Sequence, residues 1–214
     1  MHSNNVLHPL LRIMLSLLKN SNRTERILVT LKALNDDSLQ VTLVDEEPEF
    51  IYQKDDVKLA DSYSVLKTLA SNSQLYGLLD EEKKKSVEEW LEFCKTLEVP
   101  VSVLVWLANG LLSHETVNML AEKKARADIM QLLRQLEVRL KDSPYLAGEE
   151  CSIADIAVAS CLRPLFVSVF GEMERKNSPS MSAWVQKLYT SPMFVDAVGE
   201  TVLLVSNKKG KKKN

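Results

Sequence analysis

Residues 144–157 read PYLAGEECSIADIA and hold the most specific local signal in this sequence. Ser152 and Asp155 have the S-x-x-D spacing of a capping box, in which each side chain bonds the other residue's backbone amide at a helix start. An apolar run, residues 156–162, follows directly. The stretch therefore predicts a capped and buried helix, and removing such a cap costs about 0.5–2 kcal/mol.

The sequence on both sides of this helix is helical from about residue 81 to residue 204. Apolar residues recur at helical spacing over residues 87–97 and 117–140, and residues 101–112 are apolar on most sides, as in a helix at the centre of a bundle. Pro100 is expected to kink or end the helix that contains it. These patterns predict an all-helical bundle over residues 80–205.

The first 76 residues mix helical and strand patterns. Residues 10–18 carry leucines at helical spacing and predict an amphipathic helix that begins near Pro9. Residues 27–31 and 39–44 are short β-branched runs typical of strands, and Asp61-Ser62 opens another helix. We expect a small α/β unit over residues 1–76, which makes the whole chain α+β and mostly α.

Composition indicates a soluble globular protein and excludes several functions. The 214 residues are 45% hydrophobic and 26% charged, and no apolar run is long enough to span a membrane. Three cysteines without a C-x-x-C fit a reducing compartment such as the cytosol. The three histidines are too scattered for metal-ligand spacing, and the six glycines form no nucleotide-binding motif. We therefore expect a cytoplasmic protein without a metal or cofactor.

The capped helix and its preceding loop resemble the C-terminal domain of glutathione transferases. More specifically, the sequence resembles the domain appended to methionyl-tRNA synthetases, and this resemblance is good from about residue 81 to residue 204. The segments that carry it lie in the same order as in that domain: residues 89–93 (EWLEF), 163–165 (RPL), 183–188 (AWVQKL) and 200–203 (ETVL). The resemblance implies a reduced thioredoxin-like half followed by the helical bundle.

The resemblance also implies what a working transferase would need from its first half. Pro48 and the pair Asp61 and Ser62 are spaced like the proline and the acidic-serine pair that hold glutathione, although the same residues shape the fold when no ligand binds. A Tyr, Ser or Cys after the first strand must stabilise the thiolate, and Ser3 is the sole hydroxyl ahead of the helix predicted at Pro9. We therefore expect no catalytic residue, with a glutathione-dependent transferase as the alternative.

Inert transferase-like domains of synthetase complexes associate through two surfaces, as the resemblance implies. One surface is the dimer face of the thioredoxin-like half, and the other surrounds the central helix of the bundle. In this sequence the second surface would include Arg163, Phe166, Phe170 and Trp184, because arginine and aromatic side chains favour interfaces. Phe166 and Trp184 fit a position in the core equally well, whereas Arg163, flanked by apolar residues, needs a partner carboxylate.

The C-terminal residues 206–214 form a lysine-rich tail that is expected to be disordered. The tail holds Lys208, Lys209, Lys211, Lys212 and Lys213. These lysines contribute +5 to a formal net charge of −2, so the rest of the chain carries −7 and is a poor platform for nucleic acid. The tail is a solvated end, a nuclear-type signal or a basic linker that contacts tRNA, and it could lead into a tRNA-binding or synthetase domain.

Taken together, the sequence predicts a docking domain without catalytic activity. It would assemble aminoacyl-tRNA synthetases and their accessory proteins, as a homodimer or a hetero-complex, through other transferase-like domains. A protein that binds tRNA directly through the tail is a further hypothesis.

Overall fold

A computed structural model describes residues 14–19, 21–36, 39–46, 51–54, 56–113, 115, 117 and 119–205. A small sheet with two helices comes first, and the helical bundle follows. The elements are β1 Met14–Leu18, α1 Asn22–Leu34, β2 Gln40–Val44, β3 Tyr52–Lys54, β4 Val57–Leu59, α2 Ser62–Ala70, a 3-10 turn Gln74–Tyr76, α3 Glu81–Ala108, α4 Met119–Asp142, α5 Ile153–Ser168, α6 Glu172–Lys176, α7 Pro179–Tyr189 and α8 Pro192–Val198.

The sheet has the strand order β2-β1-β3-β4. β1 runs parallel to β2 and antiparallel to β3, and β3 runs antiparallel to β4. Leu15 and Leu17 alternate along β1 on one face and are fully buried, as the two-residue period of a strand requires. These elements and the helical bundle confirm the predicted fold class, a small mixed sheet followed by a mostly helical part.

Two assignments in the first half were wrong. Residues 14–18 form the strand β1 rather than a helix, and the rest of the helix predicted near Pro9 lies outside the described residues. Residues 27–31, predicted as a strand, lie inside α1. The caps decide this: the Ser21 hydroxyl accepts a hydrogen bond from the Arg23 amide at the start, and Asn35 ends the helix in the left-handed conformation.

The bundle is built around α5. Twelve of the 16 residues of α5 are buried, and α1, α2, α3 and α7 all pack against it. Pro100 does not end a helix, since α3 runs through it for 28 residues. One continuous core joins the sheet, α1 and the bundle, so both halves of the chain share the same hydrophobic interior.

Neither a membrane-spanning helix nor a metal-binding cluster of side chains occurs in the part of the chain that the structure describes. None of its helices is long and apolar enough to cross a membrane. It also holds no group of three or more His, Cys, Asp or Glu side chains placed to bind a metal ion.

Candidate functional site

The capping residues of α5 form a buried polar node. One carboxylate oxygen of Asp155 accepts hydrogen bonds from the amide (2.9 Å) and hydroxyl (2.7 Å) of Ser152. The other oxygen accepts from the Leu146 amide (2.9 Å) and from the indole nitrogen of Trp184 (3.0 Å). Burial raises the pKa of Asp155, while these four donors favour the carboxylate form. The node therefore fixes the loop before α5 and the helix α7 to one carboxylate.

Three of the predicted partner contacts lie in the core. Phe166 and Phe170 are fully buried and pack edge to face with ring centres 6.4 Å apart. Trp184 is also buried, because its indole nitrogen reaches Asp155. The prediction that these aromatic side chains meet a partner is therefore wrong for this conformation, since no face of the rings is open to another protein.

Arg163 has its carboxylate partner within the same chain. Its Nη1 lies 2.6 Å from Oε1 of Glu25 on α1, and its Nε donates to the Thr201 hydroxyl at 2.9 Å. Its Nη2 reaches the carbonyl of Val198 at 3.5 Å. Arg163 was expected to pair with a carboxylate of a partner protein. Its carboxylate is instead Glu25 of the same chain, and the ion pair joins the two halves of the chain.

A second ion pair crosses the same boundary one residue further along α1. Nη2 of Arg26, which is fully buried, lies 2.5 Å from Oε1 of Glu98, and the Tyr63 hydroxyl donates to the same oxygen at 2.7 Å. The charge of Arg26 also acts on the buried thiol of Cys94 on α3. Burial disfavours the thiolate of Cys94, but a hydrogen bond from Cys161 and the charge of Arg26 lower the pKa of this thiol. Glu25 and Arg26 thus hold α1 to the bundle through two ion pairs of opposite polarity.

The turn between β1 and α1 places a hydroxyl that the sequence reasoning missed. Two hydrogen bonds pin this turn: the Lys19 amide donates to the Val44 carbonyl (2.9 Å) and the Thr24 hydroxyl to the Leu18 carbonyl (2.6 Å). Because β1, the first strand of the described residues, ends at Leu18, the hydroxyl that follows it is that of Ser21 rather than that of Ser3. Ser21 immediately before a helical pattern was the signal that could have found it.

Ser21 lines three cavities, one of which, about 380 Å³, lies beside Glu25 and Arg163. A cleft of about 400 Å³ separates the turn from the bundle, with Lys19, Glu98, Trp106 and Pro164 in its wall. The cavity lined by Ile51 and Ala60 is about 50 Å³, large enough for no more than one or two water molecules. The cleft of about 400 Å³ is a candidate binding site for a small molecule.

Of the predicted glutathione-holding residues, Asp61 already binds other groups of this chain and Ser62 is buried. Asp61 caps α2, and its carboxylate accepts from the Tyr63 amide (3.3 Å), the Ser64 amide (2.8 Å) and the Ser64 hydroxyl (2.8 Å). Although partial burial opposes ionisation, these hydrogen bonds lower the pKa of Asp61. Ser62 is buried in the first turn of α2. Pro48 and the five tail lysines lie outside the described residues.

Known structures share this architecture. The family described as glutathione S-transferase, C-terminal domain, matches residues 111–192. The GST-like domain of elongation factor 1-gamma from Saccharomyces cerevisiae superposes with a TM-score of 0.75 and 20% identity, over 90% of this chain and 95% of that one. The chain has the glutathione transferase (GST) fold. A GST-I bound with lactoylglutathione agrees, with a TM-score of 0.73 and 19% identity over 87% of this chain and 98% of that one.

Sequence comparison relates the GST-fold chain to two kinds of protein. Elongation factor 1-gamma from Homo sapiens is 28% identical over 134 residues, which are 62% of this chain and 30% of that protein. The chain thus spans about 30% of the length of these elongation factor relatives. The glutathione S-transferase stcT of Emericella nidulans is 25% identical over 183 residues, covering 83% of this chain and 80% of that protein.

Proposed function

We propose that this GST-fold chain is a non-catalytic docking module of the translation machinery. It assembles aminoacyl-tRNA synthetases and accessory factors by associating with their own GST-like domains in the cytoplasm. The observation that carries the proposal is the similarity to elongation factor 1-gamma, in sequence over 134 residues and in fold over a solved GST-like domain. The resemblance of four bundle segments to the domain appended to methionyl-tRNA synthetases supports the choice of synthetases as partners.

The occupied polar groups near α2 support a role without catalysis. A γ-glutamyl group held at the start of α2 would compete with three donors that already bind the Asp61 carboxylate. The cavity beside Ser21 that Ile51 and Ala60 line, about 50 Å³, is far below the roughly 300–1,000 Å³ of ordinary small-molecule sites. Binding glutathione there would require this part of the chain to open.

The rigid joint between the halves supports docking. Two ion pairs, Arg163 with Glu25 and Arg26 with Glu98, and the shared core fix the sheet against the bundle. A surface held in one shape loses less conformational entropy when it binds a partner, which increases affinity. The module would therefore present its exposed helices in a fixed arrangement.

Affinity capture tests the proposal. The tagged chain, incubated with a ribonuclease-treated lysate of its own cells, is expected to enrich methionyl-, glutamyl- or glutaminyl-tRNA synthetase. A variant that lacks residues 206–214 controls for the lysine tail and should retain these proteins. Loss of capture in that variant would indicate that the tail, through tRNA, makes the association, and capture of no synthetase by either form would contradict docking.

A glutathione-dependent transferase is the second candidate, favoured by Ser21 at the turn after β1 beside the cleft of about 400 Å³. That function predicts that millimolar glutathione raises the melting temperature and that Ser21→Ala removes the increase. The docking proposal predicts no increase for either protein. Because the comparison is made with and without glutathione for each variant, any direct effect of Ser21→Ala on helix stability cancels.

A further inference from the structure

Two cysteine side chains meet in the core between α3 and α5. Cys94 of α3 and Cys161 of α5 are both fully buried, and their thiols share a hydrogen bond. Both are free thiols. A disulfide bond has an S–S length of about 2.05 Å, and two sulfur atoms that already share a hydrogen bond need only a small further approach to form it. The pair is therefore placed to link the two helices.

A buried guanidinium with unused donors lies beside this pair. Arg26 of α1 is fully buried; burial opposes its charge, and of the groups that raise its pKa, Cys94 has the largest effect. Its Nη2 pairs with Glu98, but its Nε and Nη1 have no hydrogen-bond partner among the described residues. Because unpaired N–H groups are unfavourable in a core, these two donors indicate a place for a small oxygen-containing molecule.

The two thiols differ in their chemistry. Burial disfavours the thiolate of Cys94, but the hydrogen bond from Cys161 and the charge of Arg26 lower its pKa. The hydrogen bond to Cys94 and burial raise the pKa of Cys161 well above its usual value. Because the thiolate is the nucleophile, Cys94 is the sulfur that attacks an oxidant first, and Cys161 is the thiol that then attacks Cys94.

A side chain in the wall of the cleft of about 400 Å³ connects this cluster with solvent. Glu98 lies about one helical turn after Cys94 on α3 and lines the cleft. Its side chain is 21% exposed, and its Oε1 accepts from both Arg26 and the Tyr63 hydroxyl. A movement of Glu98 would therefore admit a molecule as small as hydrogen peroxide to the buried sulfur atoms, whereas bulky oxidants would be excluded.

We propose that Cys94 and Cys161 form a peroxide-reactive dithiol, which hydrogen peroxide converts into a disulfide between α3 and α5. The Cys94 thiolate attacks one peroxide oxygen: an S–O bond forms, the O–O bond breaks, and the departing hydroxide becomes water with the proton that the Cys94 thiol gave up. The Cys161 sulfur then attacks the sulfenic sulfur of Cys94: the S–S bond forms, the S–O bond breaks, and a second water leaves with the Cys161 proton.

In this reaction two thiols are oxidised and one hydrogen peroxide is reduced to two waters. The unpaired N–H groups of Arg26 stabilise the oxygen that departs in each step. The reaction goes beyond the docking of synthetases and needs none of the contacts that docking would use, so each can fail without the other.

Thiol counting on the purified, reduced full chain tests the inference. After millimolar hydrogen peroxide and then catalase, a thiol-reactive dye in urea should find one free thiol in place of three, and peptide mapping should link Cys94 to Cys161. Cys161→Ser should stop at a sulfenic acid on Cys94 that dimedone labels, and Cys94→Ser should form no disulfide. The matched control is Cys151→Ser, a change at the half-buried third cysteine, which should form the disulfide at the wild-type rate.

Glu98→Gln separates this chemistry from packing. The glutamine oxygen can still accept from Arg26 and Tyr63, but the variant lacks the negative charge that opposes the Cys94 thiolate. Disulfide formation should therefore be about threefold faster or more, since half a pKa unit changes the thiolate fraction by about that factor. A merely structural contact predicts no increase in this rate.

Three results would overturn the inference. One is a folded wild type that keeps all its thiols in peroxide while the urea-unfolded chain loses them. Another is oxidation of Cys151 as fast as that of the buried pair, and the third is a Glu98→Gln variant that reacts no faster than the wild type. Capture of synthetases by the reduced chain is measured separately, so none of these results bears on the docking function.

Discussion

Removing the ion pair between Arg163 and Glu25 should loosen the joint between the halves. Each side chain is only about a fifth exposed (19% and 18%), and Nη1 and Oε1 are 2.6 Å apart. Breaking a buried pair from one side costs about 3–5 kcal/mol. Because some solvent reaches both groups, we expect Arg163→Ala to lower the free energy of unfolding by about 2–4 kcal/mol.

Replacing both partners should cost less than the two single changes combined. Burial raises the pKa of Glu25 more than the attraction of Arg163 lowers it, so the removal of both charges from water largely offsets their attraction. The double variant Arg163→Met with Glu25→Gln should therefore lie closer to the wild type than Arg163→Ala does. The double-mutant cycle built from Arg163→Met, Glu25→Gln and their combination should give a coupling energy between the two side chains of about 1.5–3 kcal/mol.

Urea unfolding followed by circular dichroism measures these free energies. The control is the pair Lys124 and Asp128, an exposed i,i+4 contact of 2.7 Å on α4. Its cycle should give at most about 0.5 kcal/mol. A coupling energy for Arg163 and Glu25 as small as that of the control would refute the assignment of Arg163 to an internal joint. It would favour the earlier prediction that Arg163 contacts a partner protein.

Two further predictions concern the helix caps. Asp155→Ala should lower the free energy of unfolding by about 3–5 kcal/mol, because it leaves the buried Trp184 indole and two backbone amides without an acceptor. Ser152→Ala should lower it by only about 1 kcal/mol. Equal losses for the two variants in urea unfolding would contradict the buried polar node. Asp61 has a lowered pKa, so its stabilisation is present at neutral pH and is lost as pH falls through that pKa. Asp61→Ala should therefore cost about 1 kcal/mol at neutral pH, and a gap from the wild type that fails to narrow on acidification would contradict an ionised cap.

The part of the fold that depends on local signals could be predicted from the sequence. The S-x-x-D pattern marks the start of α5, and the long apolar stripes mark α3 and α4, because each signal lies within a few turns of one helix. The bond from Trp184 to Asp155 spans 29 residues, and no local pattern indicates it. The sequence therefore predicts that a cap exists but not what else depends on it.

The first half was harder to predict because its patterns fit both helix and strand. The leucines of residues 10–18 have helical spacing, but Leu15 and Leu17 alternate equally well along β1. The β-branched residues of α1 favour strands, yet Ser21 and Asn35 cap them into a helix. Because residues 14–18 were predicted as helix, the hydroxyl was sought ahead of them, at Ser3, rather than after them, at Ser21, and this changed the case for the transferase.

The partner surface could not be predicted, because residue type does not reveal burial. Arginine and aromatic residues are common at interfaces and also stabilise cores, and here Phe166, Phe170 and Trp184 fill the core. Exposed apolar side chains such as Leu79 and Val138 became visible only with the fold. Their positions depend on how α4 and the turn before α3 pack against α3.

Direct binding between purified proteins tests the docking function most sharply. Isothermal titration calorimetry of the full chain against purified methionyl-, glutamyl- and glutaminyl-tRNA synthetases, at a salt concentration that suppresses contacts through tRNA, measures affinity and stoichiometry together. The proposed function predicts saturable binding to at least one of the three at a fixed ratio. Absence of binding to all three, together with a rise in melting temperature in glutathione that Ser21→Ala removes, would contradict it and favour the transferase.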